Sequence, residues 1–168
     1  MYLRLDLDEV FVISPSIDTR VPKNSRVTLR CESPTGIPSP AVSWWKDGVP
    51  VDTHKSRRVQ AKNHANLTLV IIRKAKFSDE GSYSCVASNL VGRHESAIIK
   101  LNVYVDGGWS DWREFQPCTA AKCGNGTRML KRFCSNPTPE NGGQFCAGSS
   151  IKIEPCQGHL SRCRNNLP

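Results

Sequence analysis

The sequence has no long hydrophobic run. Its longest uninterrupted aliphatic stretch is Leu69-Val70-Ile71-Ile72, far short of the roughly 20 apolar residues that cross a bilayer as a helix. It has no C-x2-C pair, which argues against the close ligand spacing of a zinc knuckle. The four histidines, His54, His64, His94 and His159, are scattered and form no cluster with the cysteines. H-E-x-x-H is absent, as is any nucleophile motif on serine or cysteine, and no paired carboxylates stand in a cleft-forming context. No enzyme is indicated, and no metal or cofactor is expected. Residues 1–105 carry no helical hydrophobic period. The start, Met1-Tyr2-Leu3-Arg4-Leu5-Asp6-Leu7-Asp8, has charges where a signal peptide needs an apolar core.

What is present is cysteine, eight in 168 residues. An even count of that size points to disulfides and an oxidising, secretory setting. Disulfides without an export signal imply a piece cut from a longer secreted or membrane-anchored chain. The formal charge is +8. Residues 1–106 hold 15 Lys/Arg against 11 Asp/Glu, and residues 107–168 hold 8 against 4, so each part carries +4. A basic extracellular chain meets sulfated glycans before it meets nucleic acid, so glycan is the expected polyanion.

Residues 1–105 are short alternating stretches separated by turn residues, the pattern of an all-β domain. Leu3, Leu5 and Leu7 alternate with charge. Val27, Leu29 and Cys31 alternate with Thr28 and Arg30, which puts Cys31 on an inward face. Val42 and Trp44, Val70 and Ile72, and Tyr83 and Cys85 repeat the theme. Cys31, then Trp44, then Asp79-x-Gly81-x-Tyr83-x-Cys85 is the constellation of an immunoglobulin sandwich. A bridge joins the sheets, a tryptophan packs on it, and a tyrosine turns its hydroxyl to the preceding corner. A Cys31–Cys85 bridge closes a long loop and stabilises by about 2–4 kcal/mol. The domain resembles the intermediate-set immunoglobulin domains of cell-surface receptors and adhesion molecules.

Gly107-Gly108 ends this pattern, and residues 106–168 form a second domain with six cysteines and few aliphatics. So small a segment needs staples. It holds Trp109-Ser110-Asp111-Trp112, Cys118, Cys123-Gly124-x-Gly126, and then Arg128 and Arg132 before Cys134. Six cysteines alone permit fifteen pairings. These motifs resemble the thrombospondin type 1 repeat, an elongated three-stranded fold with a ladder of tryptophans and arginines. Stacked guanidinium and indole planes contribute about 0.5–2 kcal/mol each. The resemblance implies the bridges Cys118–Cys156, Cys123–Cys163 and Cys134–Cys146, and ladder roles for Arg128 and Arg132. Phe115 stands where the third ladder tryptophan is usual, and Leu130 where an arginine is usual. Together they suggest that one cation–aromatic rung is replaced by an apolar one. Lys122 precedes Cys123 where the family's O-fucosylation motif needs Ser or Thr, so mass spectrometry should find no deoxyhexose on this repeat.

The domain order and two stretches carry a closer resemblance. The junction Leu101-Asn102-Val103-Tyr104-Val105-Asp106-Gly107-Gly108-Trp109-Ser110 is one. Cys134-Ser135-Asn136-Pro137-x-Pro139-x-Asn141-Gly142-Gly143-x-Phe145-Cys146-x-Gly148 is the other. Both resemble the uncoordinated-five class of netrin receptors, as do Val42-Ser43-Trp44, Ile72-Arg73-x-Ala75-x-x-Ser78-Asp79 and the opening Tyr2-Leu3-Arg4. The match is to the second immunoglobulin domain and first thrombospondin repeat, and insertions near Cys123 and before Cys163 suggest an invertebrate member. The resemblance implies the extracellular part of a single-pass plasma-membrane receptor for axon guidance and cell migration. It also implies netrin as ligand and possible co-receptors on the cell surface. Two other readings use the same domains: a matrix protein of the papilin or protease-like kind, and an accessory segment of a secreted protease.

Between Thr53 and Ser78 there is no acid and there are seven Lys/Arg. Lys55, Arg57, Arg58 and Lys62 are the candidate heparan sulfate contacts, extended by Arg73, Lys74 and Lys76; the bland alternative is a solvated face. Lys131, Arg132 and Lys152 are candidates for a second cationic site. Trp45 should point outward opposite Trp44, as a protein-binding anchor or as a ring covered by a neighbouring Lys or Arg stem. Asn66 and Asn125 begin N-glycosylation sequons. Trp109, in W-x-x-W, matches the family's C-mannosylation signal.

Overall fold

The computed structural model describes residues 6–7, 12–14, 18–52, 56–64, 67–120 and 124–158. The chain divides into two compact units, residues 1–104 and 105–168. The break lies one residue earlier than the composition suggests. Val105 exchanges backbone hydrogen bonds with Glu140, at 3.1 and 2.9 Å, and so belongs to the second unit.

The first unit opens with β1 (Asp6–Leu7), β2 (Val12–Ser14), β3 (Thr19–Pro22), β4 (Val27–Glu32), β5 (Gly36–Ile37) and β6 (Ala41–Lys46). It continues with β7 (Val49–Pro50), β8 (Val59–His64), β9 (Leu67–Ile72), β10 (Gly81–Ser88), β11 (Arg93–Glu95) and β12 (Ile99–Tyr104). One sheet runs β2-β4-β9-β8. The other runs β3-β12-β10-β6-β7 with β11 beside β10, and β1 pairs with β5.

Strict alternation fixes which side chains face inward, because a strand turns successive residues to opposite faces. Val27, Leu29 and Cys31 are buried, while Thr28, Arg30 and Glu32 between them are exposed. Val70 and Ile72 of β9 and Tyr83 and Cys85 of β10 close on them, with Trp44 from β6. Cys85 lies directly opposite Trp44 in the β10–β6 register and is bonded to Cys31 across the sandwich. Ile71 breaks the alternation, as Ser84 and Val86 do in β10: it faces the outer side of its sheet yet is buried, in a row between Thr28 and Gln60.

The second unit is one antiparallel sheet of β13 (Arg113–Gln116), β14 (Asn125–Lys131) and β15 (Ile151–Gln157), in that order. Among its described residues Leu130 is the buried hydrophobic side chain. Cys118–Cys156 and Cys134–Cys146 are bonded. Cys123 and Cys163 lie outside the described residues.

Candidate ligand-binding surfaces

The corner before β10 engages one of the candidate glycan contacts. Phe77–Asp79 forms a single 3-10 turn, and the Asp79 carboxylate accepts the Lys76 N–H at 2.8 Å. Arg58 donates both guanidinium ends to the same carboxylate, Nη2 to Oδ1 at 2.8 Å and Nη1 to Oδ2. Asp79 is 6% exposed. A forked donor on a buried carboxylate is the geometry in which an arginine is strongest. The hydrogen bond to Asp79 raises the Arg58 pKa above its ordinary value against the opposing effect of burial. Tyr83 donates its hydroxyl to the Asp79 carbonyl at 2.7 Å. Burial, and then the Asp79 charge, push that phenol well above its ordinary pKa.

This corner explains the motif spacing. Gly81 has φ +147, and a Cβ there would meet the Asp47 carboxylate within 2.5 to 2.9 Å. That carboxylate accepts the Ser82 N–H at 2.8 Å. Asp79, Gly81 and Tyr83 therefore serve one structural corner.

Arg58 thus departs from the expected glycan role, since its fork is taken by Asp79. Lys55 lies outside the described residues. Arg57 and Lys62 are exposed, as are Arg73, Lys74 and Lys76. The Arg73 N–H bonds to the Arg58 carbonyl at 2.8 Å, which brings Arg73 beside the 57–58 turn. Lys62 faces Leu69, which faces Arg30, so β8, β9 and β4 set two cations in one cross-strand row. Arg30 was not found from sequence because it lies 32 positions from Lys62 (62 − 30) and meets it only through strand pairing. Glu32, opposite Leu67 and then His64, brings an acid to the next row.

Trp45 is half-buried. The Arg93 guanidinium lies 4.8 Å from its ring centroid, and its indole N–H donates to Ser43 Oγ at 3.0 Å. The covering arginine comes from β11, the neighbour of β10.

In the second unit Arg132 lies between two indoles, 4.2 Å from the Trp109 centroid and 4.4 Å from that of Trp112. Its Nε–H donates to the Ser149 carbonyl at 3.0 Å. The Trp109 N–H donates to the Ala147 carbonyl at 2.9 Å, and Phe145 meets the ring edge-on at 6.5 Å. Arg128 takes a different place, bonded to Glu154 at 3.1 Å. Lys152 also bonds Glu154, at 2.6 Å, while lying 4.8 Å from the Trp112 centroid. These contacts, Lys152 first and then Arg128, lower the Glu154 pKa. Arg132 and Lys152 are therefore engaged within the fold.

The rung expected to be apolar is split. Leu130 is buried, but the β13–β14 register shifts between Glu114 and Gln116, which makes Phe115 a bulge residue. A bulge re-aims the side chain it inserts. Phe115 is left 56% exposed, with the Lys131 ammonium 4.9 Å from its centroid. Asn125 is exposed at the start of β14, and Trp109 is half-buried. Asn66 lies outside the described residues.

An immunoglobulin sandwich followed by a disulfide-stapled, arginine–tryptophan stacked sheet defines a chain of paired immunoglobulin and thrombospondin type 1 domains. Family profiles agree: the immunoglobulin domain matches residues 10–89 and the thrombospondin type 1 domain residues 110–163. Netrin receptor UNC5D of Rattus norvegicus and of Mus musculus are each 39% identical over 136 residues, which is 81% of this chain. The chain belongs to the UNC5 class of netrin receptors. It spans 14% of the length of those relatives. Among solved structures, titin domains Z1Z2 in complex with telethonin align with TM-score 0.58 at 17% identity, covering 95% of this chain and 85% of that one. A titin A168–A169 structure gives 0.52 at 16%, covering 94% and 85%. These bear on the fold alone.

Proposed function

We propose that this chain is a non-catalytic recognition segment in the extracellular region of a membrane receptor, and that it binds netrin and sulfated glycan. The observation that carries the reading is the 39% identity to a netrin receptor over 136 residues, a stretch longer than either domain and so extending into both. The glycan part is supported by the exposed cations Arg57, Lys62, Arg73 and Arg30, with Lys55 beside them in sequence. Arginine forks and lysine point charges suit sulfate groups. N-glycans on Asn66 and Asn125 and C-mannose on Trp109 belong to the same proposal.

The test is binding of the purified chain to netrin, with and without heparin. Complex formation strengthened by heparin is expected; no complex in either condition overturns the netrin reading. For the glycan surface, Arg57→Gln, Lys62→Gln and Arg73→Gln together should elute from heparin resin at lower salt. Each lost contact lowers the log–log salt slope by about 0.7–0.9 if the polyanion behaves as nucleic acid does. Unchanged elution removes this face from consideration. Arg58 is left intact because it holds Asp79.

A further inference from the structure

The second unit's sheet has two unlike faces. Strand pairing puts Glu114, Leu130 and Lys152 in one row, and Arg128 and Glu154 in the next, on the face that carries the ion pairs. On the opposite face Arg113, Lys131 and Ile151 form a row, followed by Gln116, Met129 and Ile153. Lys131 brings two further rings to it, its ammonium lying 4.9 Å from the Phe115 centroid and 5.1 Å from that of Phe133. Four apolar side chains there face solvent: Phe115 is 56% exposed, Phe133 50%, Ile153 64% and Ile151 41%. No described strand residue on that face is Asp or Glu.

We propose that this face is a docking surface for a protein whose matching surface is apolar and carries carboxylates. A contiguous patch of exposed phenylalanine and isoleucine is what soluble proteins bury against a partner. The charge sets the partner's sign. Among the described residues neither Arg113 nor Lys131 forms an ion pair, so an acidic surface is attracted. A second copy of this chain would set like charges against each other. A sulfated glycan would answer the cations but leave the phenyl and isoleucine side chains uncovered. The inference is independent of the netrin reading and stands or falls separately from it.

The experiment uses the whole chain and measures binding to a synthetic peptide alternating glutamate with phenylalanine and leucine. Polyglutamate of equal length, heparin, and phosphatidylserine–phosphatidylcholine vesicles serve as the other probes. The alternating peptide should bind more tightly than polyglutamate. Ile153→Glu, at an exposed strand position, should weaken that binding about tenfold or more, the size of a modest hot spot. Lys131→Gln should weaken it less. Circular dichroism and peptide mapping of the intact Cys118–Cys156 and Cys134–Cys146 bridges confirm that the variants remain folded. Equal binding of the two peptides, or an Ile153→Glu chain that binds as the parent does, overturns the proposal. Vesicle binding lost in Ile153→Glu would make this a membrane face and overturn it as well. Sedimentation showing self-association that the same variant abolishes would do likewise.

Discussion

Arg58→Ala is expected to destabilise the first unit by about 3–5 kcal/mol, because it removes one partner of a largely buried ion pair. Asp79 would keep the Lys76 N–H but lose both guanidinium bonds, leaving a carboxylate charge in a site only 6% exposed. That is a large share of the roughly 5–15 kcal/mol by which a domain is stable. Denaturant unfolding followed by tryptophan fluorescence reads it directly, since Trp44 is buried in the same core. Arg58→Lys should fall between, keeping the charge and losing the fork. Combining Arg58→Met with Asp79→Asn should recover much of the loss, because the uncompensated charge is then gone. Parental stability in Arg58→Ala would return Arg58 to the candidate glycan contacts.

Gly143→Ala is the second large effect, expected at about 3 kcal/mol or more in the second unit, at or above the upper end for overpacking. A Cβ on Gly143 would stand 1.7 Å from the Val105 carbonyl oxygen and 2.4 Å from its carbon. The obstacle is backbone. Val105 is held by the paired hydrogen bonds to Glu140, and the Gly143 N–H itself donates to the Glu140 carbonyl at 3.0 Å. Relief therefore requires breaking the bridge that starts the unit. The measure is secretion yield with peptide mapping of Cys134–Cys146, which flanks the site. Gly92→Ala is the control: nothing lies within 4 Å of its Cβ position, and its effect should stay within about 0.5 kcal/mol. A fully secreted, correctly bridged Gly143→Ala chain would show that this turn opens without cost.

The sandwich was legible because its determinants are periodic. Val27, Leu29 and Cys31, then Tyr83 and Cys85, declare their face by alternation alone, and the structure buries all five. The cationic surface was less legible, because charge was counted along a window and acts through space. The acid-free run ends at Ser78, one residue before Asp79, which pairs back across 21 positions to Arg58. Arg30 joins Lys62 only through two strand registers. Phe115 shows a third limit. A substitution in a ladder motif names the missing ring, but the single-residue bulge that turns Phe115 toward Lys131 depends on β13–β14 pairing and has no local signature.

The sparse interior of the second unit also governs how it responds to temperature. Heat-capacity change on unfolding scales with the apolar surface released, and here the buried described hydrophobic residue is Leu130. Disulfides and the guanidinium held between two indoles supply cohesion that exposes little such surface when lost. The free energy of this unit should then vary gently between cold and heat, with a shallow urea slope. A chemical reductant, by contrast, would act on its bridges at any temperature.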